Sequence, residues 1–229
     1  MLRVLDTFAG AGGFGLGFTM AGYRLAGGIE MDSWASETFA FNHPGTTLIK
    51  ADITKVTDEE VRSAFPAPGP DVVLGGPPCQ GFSVCGRNAG DPSDPRNTLF
   101  RELIRVARLL RPSVVIMENV PKLEAALTVS KGRVLDIVRG ELESIGYNVY
   151  HAVLQATDFG IPQIRRRLFV VGSRQKLKHP FPDSTHSTES GLFGQAKCPT
   201  LWDATSDLPQ ITAGEGDEEA AYDKPALND

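Results

Sequence analysis

The sequence is poor in cysteine and has no long apolar run, and both absences narrow the class of protein. Cys79, Cys85 and Cys198 are an odd number without metal-ligand spacing, so they indicate neither a disulfide framework nor a zinc site. No apolar run approaches the length of a membrane span, and the first residues, 1–6, have no signal-peptide pattern. We therefore expect a cytoplasmic protein with no membrane segment and no bound metal. Its 229 residues, 41% of them hydrophobic, can bury one substantial core.

The chain also lacks an overall positive charge, since its formal net charge is -5. That charge is unevenly distributed: residues 203–229 contain eight acidic residues and one lysine, which leaves 20 acidic and 22 basic residues in the rest. Residues 164–179 carry six basic side chains and no acid: Arg165, Arg166, Arg167, Arg174, Lys176 and Lys178. This segment predicts a face that contacts phosphates, and a solvated charge run is the alternative.

Strand-like and helical patterns alternate along most of the chain. Short apolar runs indicate strands at 3–8, 25–30, 71–74, 114–118, 147–154 and 167–172. Helical periodicity fills several of the gaps, at 14–21, 33–41, 58–65, 98–110 and 133–145. Such alternation predicts right-handed crossovers and therefore an α/β fold with a doubly wound, mainly parallel sheet. Residues 86–96 are polar and have no core pattern, so we expect a mobile loop there.

A glycine-rich turn follows the first predicted strand. Residues 10–15, Gly-Ala-Gly-Gly-Phe-Gly, fit the G-x-G-x-x-G pattern and open a helix, and Glu30 ends the next strand at the spacing of a ribose-binding acid. This arrangement indicates a cofactor that contains adenosine, without separating NAD from S-adenosylmethionine. A turn needed only for helix–strand packing is the alternative. Asp52 is either an adenine contact or an ordinary turn cap.

Cys79 has an unusual setting for a structural cysteine. The run 71–74 indicates a buried strand, Gly75-Gly76 would end it, and Pro77-Pro78 precede the thiol. Cys79 would then lie at the carboxyl edge of the sheet, where open α/β folds bind their ligands. Glu118 ends another predicted strand and is a candidate partner. Taken singly, a buried cysteine is usually an inert small hydrophobe and such a glutamate is usually solvated or salt-bridged.

In their order along the chain, these motifs resemble those of the DNA cytosine-5 methyltransferases, from Leu5 to about Gly172. The matching segments are Asp6-Thr7-Phe8-Ala9-Gly10-Ala11-Gly12-Gly13-Phe14, Glu30-Met31-Asp32, Asp52-Ile53, Gly76-Pro77-Pro78-Cys79-Gln80-Gly81-Phe82-Ser83, Asp94-Pro95-Arg96-Asn97-Thr98-Leu99-Phe100, Glu118-Asn119-Val120 and Gln163-Ile164-Arg165-Arg166-Arg167. Each match is weak evidence alone, but the ordered set is specific.

The resemblance implies a fold and a cofactor. The fold is the Rossmann-like sheet of the S-adenosylmethionine-dependent methyltransferases, and S-adenosylhomocysteine would be the product. The residues implied to bind the cofactor are Asp6, Phe8, Gly10, Gly12, Gly13, Glu30, Met31, Asp52, Ile53, Pro78 and Leu99.

The implied reaction is methyl transfer to C5 of cytosine in double-stranded DNA. The Cys79 thiolate adds to C6 and makes C5 nucleophilic, while Glu118 protonates or hydrogen-bonds N3. Arg167, and with it Arg165, contacts the cytosine O2 side or holds Glu118 and the loop in place. Because C6 is stacked inside the duplex, the cytosine must be flipped out. The residues expected to contact DNA are Gln80, Ser83, Arg87, Arg96 and Gln163.

The sequence departs from the family pattern near its end. We predict a cofactor-binding and catalytic domain over 1–202, and an acidic tail or the start of a target-recognition domain over 203–229. The family's recognition domain and last two motifs are not found, so we expect that full activity needs a C-terminal portion or a partner chain. The chain would be a fragment, half of a split enzyme or, ranked last, a degenerate protein. Transfer to tRNA, a non-catalytic DNA-binding half and a nicotinamide dehydrogenase are the alternative functions.

Overall fold

The computed structural model describes residues 1–78, 95–127, 132–188, 195–216, 221 and 224–226. The chain divides into two compact units. The first comprises Met1–Val153 and Arg167–Phe181, and the second comprises Leu154–Arg166 and Pro182–Asp229. The predicted nucleophile Cys79 and most of the loop predicted over 86–96 lie outside the described residues.

The first unit is built on a seven-stranded sheet. The strands are β1 Arg3–Asp6, β2 Arg24–Glu30, β3 Thr47–Lys50, β4 Val72–Gly75, β5 Val114–Asn119, β6 Asn148–Gln155 and β7 Arg166–Ser173. Their order across the sheet is β3-β2-β1-β4-β5-β7-β6. Neighbours from β3 to β5 run parallel, and β7 runs antiparallel to β5. The predicted fold class, an α/β protein with a mainly parallel sheet, is therefore confirmed.

Helices follow most of the parallel strands. They are α1 Gly13–Met20, α2 Ser33–Asn42, α3 Asp58–Ala64, α4 Phe100–Leu110 and α5 Val134–Ser144. Their bounds differ from the predicted ones by one or two residues. The start of α4 differs because Pro95–Thr98 forms a separate 3-10 helix before it. The sequence missed β3, a four-residue strand without buried side chains, because so short a run has too little periodicity to be recognised.

Two hydrophobic clusters cover the two faces of the sheet. Successive residues of β4 alternate between them: Val73 belongs to the larger cluster, and Val72 and Leu74 belong to the smaller one. This alternation is the period of two that a strand imposes on its side chains. The larger cluster includes buried side chains of α3, α4 and α5, and the smaller one includes α2 through Phe39. The sheet is thus doubly wound, and its core lies in two layers.

The second unit contains little regular structure. After Gly172, its elements among the described residues are β8 His186–Ser187, β9 Ala196–Lys197 and the helix α6 Leu201–Thr205. A capping box between Thr200 and Asp203 starts that helix. The sequence predicted none of these elements, because the fading periodicity after Gly172 offers no signal for them. No helix in the described part of the chain is long and apolar enough to span a membrane.

Candidate functional site

The carboxyl ends of four parallel strands form one edge of the sheet, and the predicted site residues follow them. Asp6 ends β1, Glu30 ends β2, Gly76 follows β4, and Glu118 lies at the end of β5. Parallel strands direct their carboxyl ends to the same edge, where the connecting loops leave room for a ligand. Residues separated by more than a hundred positions in the sequence are gathered here for that reason.

The turn between β1 and α1 has backbone conformations that favour glycine. Gly10 has φ 53° and Gly12 has φ 92°, both in the left-handed region that other residues rarely adopt. A Cβ atom on Gly12 would overlap the imidazole ring of His43, which lies buried beneath the turn. The Nε2 atom of His43 lies 3.2 Å from the Gly12 carbonyl oxygen and is placed to donate to it. Sequence reasoning missed His43, since nothing in its own neighbourhood marks it.

Glu30 joins this turn to the end of β2. Its carboxylate accepts hydrogen bonds from the backbone amides of Gly10 at 2.8 Å, Met31 at 2.9 Å and Asp32 at 2.8 Å. Three such donors fix the orientation of the carboxylate. The remaining lone pairs of its oxygens can accept from hydroxyl groups, which is what a ribose offers.

A cavity of about 270 Å³ lies at this edge. The residues that line it are Phe8, Gly10, Ile29, Glu30, Met31, Ala51, Asp52, Ile53, Gly76, Pro78 and Leu99. Most of the residues predicted to bind the cofactor are therefore brought together around one space. Ile29 and Ala51 were not predicted, although each is next in sequence to a predicted residue, and Gly76 begins the Cys79 motif but was not assigned to the cofactor.

Three predicted cofactor residues, Asp6, Gly12 and Gly13, do not line the cavity. Asp6 is fully buried, and neither of its carboxylate oxygens has a hydrogen-bond partner of good geometry among the described residues. Burial raises the pKa of Asp6 to about 6, against the lowering effect of the nearby amides of Phe8 and Gly15. The charge of Glu30 adds to the rise. Asp6 is therefore a buried acid that lies outside the lining of the cavity.

The pKa of the Asp52 carboxylate is shifted in the direction opposite to that of Asp6. Asp52 caps the 3-10 helix Ile53–Lys55, where its Oδ1 accepts from the hydroxyl of Thr54 at 2.8 Å and from its amide at 3.0 Å. These hydrogen bonds hold the pKa of Asp52 below its usual value. Asp52 thus caps a turn and also lines the cavity, and its contact with adenine stays a prediction.

The segment before Cys79 is tied to the end of β5. Asn119 is buried, and its Nδ2 donates to the Pro77 carbonyl at 3.0 Å. Its Oδ1 accepts from the Val120 amide at 2.8 Å. A single amide side chain thereby joins the Pro77 backbone, two residues before Cys79, to the Val120 backbone, two residues after Glu118. The predicted contacts Gln80, Ser83 and Arg87 lie outside the described residues, and so does the side chain of Arg96.

Glu118 and Arg167 form an ion pair, with 2.9 Å between Oε1 and Nε. Antiparallel register places Phe169 opposite Glu118, so Arg167, two residues away, projects on the same face of the sheet. Both side chains are about a quarter exposed. Two further predicted residues, Arg165 and Gln163, lie in the second unit, each with an exposed side chain.

The order of the strands and the cavity at their carboxyl edge define a class of protein, the Rossmann-like α/β fold of the methyltransferases. Residues 2–225 match the family model described as C-5 cytosine-specific DNA methylase, and the chain belongs to this family. The family resemblance predicted from the motifs is thereby confirmed.

The relatives of the chain are methyltransferases. It is 39% identical to the type II methyltransferase M.DdeI of Desulfomicrobium norvegicum, over 96% of this chain and 52% of that protein. It is 37% identical to M.AquIA of Picosynechococcus, over 92% of this chain and 90% of that protein. The chain thus spans about half the length of M.DdeI, and of M1.HphI of Haemophilus parahaemolyticus, but most of the length of M.AquIA.

Solved structures show the same fold. An E. coli prophage protein described as a DNA modification methyltransferase superposes with a TM-score of 0.73 at 29% identity, over 92% of this chain and 56% of that one. DNMT2 of Spodoptera frugiperda superposes with a TM-score of 0.66 at 21% identity, over 93% of this chain and 61% of that one.

Proposed function

We propose that the chain is the catalytic portion of an S-adenosylmethionine-dependent DNA methyltransferase that acts on C5 of cytosine. The observation that carries the proposal is the arrangement at the ends of β4 and β5. Glu118, paired with Arg167, lies beside the Gly76–Pro78 segment that leads directly to Cys79. A nucleotide cavity by itself would suit many enzymes, but a cysteine and a glutamate at one edge suit addition to a pyrimidine ring.

The residues around the cavity fit the chemistry of the cofactor. Phe8, Ile53 and Leu99 supply apolar surface for an adenine ring, and Glu30 supplies an oriented carboxylate for the ribose hydroxyls. Asp52 adds an ionised acceptor, suited to the exocyclic amine of adenine. Bound there, S-adenosylmethionine would supply an electrophilic methyl group and be released as S-adenosylhomocysteine.

The roles of the protein side chains follow from the electronic demands of cytosine. The Cys79 thiolate forms a bond to C6, and Glu118 protonates N3 or donates to it as charge develops on the ring. Arg167 holds Glu118 in position, and Arg165 contacts the O2 side of the base. Once C5 carries the methyl group, loss of the C5 proton restores the double bond and expels the thiolate.

The wider assignments are part of the same proposal. Double-stranded DNA is the substrate, reached by flipping the cytosine out of the helix. Residues 1–202 carry cofactor binding and catalysis, while 203–229 form an acidic tail or begin a target-recognition domain. A C-terminal portion or a second chain supplies sequence recognition. Gln80, Ser83, Arg87, Arg96 and Gln163 contact the DNA.

Covalent trapping tests this proposal. Duplex DNA with 5-fluorocytosine in varied sequence contexts should form an adduct in the presence of S-adenosylmethionine, because fluorine at C5 blocks the final elimination. Cys79→Ser should form no adduct and transfer no methyl group, while still binding S-adenosylhomocysteine. The assay is run with and without a C-terminal portion supplied by a relative. An adduct with 5-fluorocytosine RNA alone would indicate a tRNA enzyme, and no adduct in any arm would contradict catalysis.

A further inference from the structure

One arginine of α4 contacts the turn that lines the cavity, although it does not line the cavity itself. The Nη2 atom of Arg105 donates to the carbonyl oxygens of Ile53 and Val56, each at 3.0 Å. These carbonyls belong to the 3-10 helix Ile53–Lys55 and the residue after it. The same turn presents Asp52 and Ile53 to the cavity.

The other nitrogens of the guanidinium are also engaged. Nε donates to Glu102 at 2.7 Å, and Nη1 donates to Asp58 at 2.6 Å. One planar group thus joins α4, the start of α3 and the turn between β3 and α3. Lysine could not reproduce this arrangement, since its single ammonium group cannot serve two carbonyls and two separate carboxylates at once. The side chain is only about a quarter exposed, so solvent competes weakly for these contacts.

Two walls of the cavity depend on the elements that Arg105 joins. Leu99, at the start of α4, lines one part of the cavity, and Asp52 and Ile53 line another. Ile53 is buried, so a shift of the turn would move it against its packed neighbours. The distance between these walls is therefore coupled to the contacts of Arg105.

We propose that Arg105 is a positioning residue for the cofactor, which holds the Asp52–Ile53 wall at a fixed distance from α4. The inference rests on the proposed function, because it assigns the cavity to S-adenosylmethionine. Arg105 acts through the turn and does not contact the ligand. Neither its neighbourhood in the sequence nor the family motifs singled it out.

Calorimetry with S-adenosylhomocysteine tests the inference without any need for catalysis. Arg105→Gln should raise the dissociation constant about tenfold, and Arg105→Lys should give an intermediate value. In a double-mutant cycle with Asp52→Asn, the combined loss of affinity should be smaller than the product of the single losses by a factor of at least about two. The coupling is expected because a displaced turn no longer presents Asp52 correctly.

Two control variants separate positioning from general loss of stability. Arg101→Gln, one turn earlier on α4, removes an ion pair to Glu141 far along the chain and should leave affinity unchanged. Leu142→Ala should lower the melting temperature without changing affinity. The inference would be overturned if Arg105→Gln bound S-adenosylhomocysteine as tightly as the parent protein, or if the losses of affinity in the cycle were fully additive. It would also be overturned if Leu142→Ala lost as much affinity as Arg105→Gln. All three results would leave the proposed function standing. If the parent protein binds no S-adenosylhomocysteine, the proposed cofactor site itself is overturned.

Discussion

Three carboxylates at one edge of the sheet differ in what surrounds them. Glu30 accepts from three backbone amides, Asp52 accepts from Thr54, and Asp6 is buried without a well-placed donor among the described residues. The same chemical group is therefore an oriented acceptor in the first two cases and a weakly acidic buried group in the third. All three were expected to bind the cofactor, and the sequence carried no signal that would separate them.

The buried carboxylate of Asp6 predicts a dependence of stability on pH. Its folded pKa of about 6 lies above the ordinary value of 3.8, so the folded state keeps a proton that the unfolded state has lost. Stability therefore falls as the pH rises from about 4 to about 6, by roughly 3 kcal/mol for this group. Asp6→Asn removes that loss. The free energy of unfolding in urea, variant minus parent, should rise by roughly 3 kcal/mol between pH 3 and pH 7, and a constant difference would contradict the assignment.

The turn that carries Gly12 predicts a second effect of a single residue. Gly12→Ala must adopt φ near 92° and must also displace His43, whereas Gly22→Ala has a similar φ of 87° but open space around it. We expect Gly22→Ala to cost about 1 kcal/mol and Gly12→Ala about 2 kcal/mol more, in urea unfolding. Affinity for S-adenosylhomocysteine should fall only in Gly12→Ala. Equal costs for the two variants would show that His43 moves freely.

The ends of β4 and β5 are joined by Asn119, and this connection predicts an effect at the scale of elements. Asn119→Asp replaces the donor to Pro77 by an acceptor, so the segment that leads to Cys79 should shift relative to Glu118. Methyl transfer should slow roughly tenfold to a hundredfold, because a displacement of about 1 Å has a cost of that order. Affinity for S-adenosylhomocysteine should change less.

Asn148→Asp is the matched control for this change. Asn148 also donates its amide to a strand carbonyl, that of Ser173 at 3.1 Å, but lies far along the sheet from Glu118. Both variants should lose similar stability, and only Asn119→Asp should lose rate. An equal rate for the two would argue against a role for Asn119 in placing the nucleophile.

The elements themselves were largely predictable, and the exceptions have physical causes. The start of α1 was clear from the glycine pattern, and α4 from apolar residues spaced three and four apart, such as Leu103 and Val106. The edge strand β3 escaped prediction because none of its residues is fully buried and only its pairing with β2 defines it. The elements β8 and β9 have two residues each, too few for any periodicity.

At the scale of the whole molecule, the net charge of -5 conceals a basic segment after β7. Lys176 and Lys178 are exposed there, beyond Ser173, which pairs with Val114 at the end of β5 remote from Glu118. If they contact DNA phosphates, Lys176→Gln with Lys178→Gln should reduce the slope of log affinity against log salt concentration by about 2. Arg24→Gln with Arg62→Gln removes the same charge elsewhere and should leave the slope unchanged. Binding to a DNA duplex at several salt concentrations measures both, and identical slopes would contradict the assigned DNA face.

The sequence by itself determined the alternation of strands and helices, the glycine turn and the family of this protein, because these signals are periodicities and motifs confined to short segments. Only the tertiary structure decided which residues outside the motifs support the site. Arg105 meets the carbonyl of Ile53 across 52 positions, and His43 meets Gly12 across 31. Contacts of this kind leave no local pattern, because they depend on how parallel strands and their crossover helices pack together.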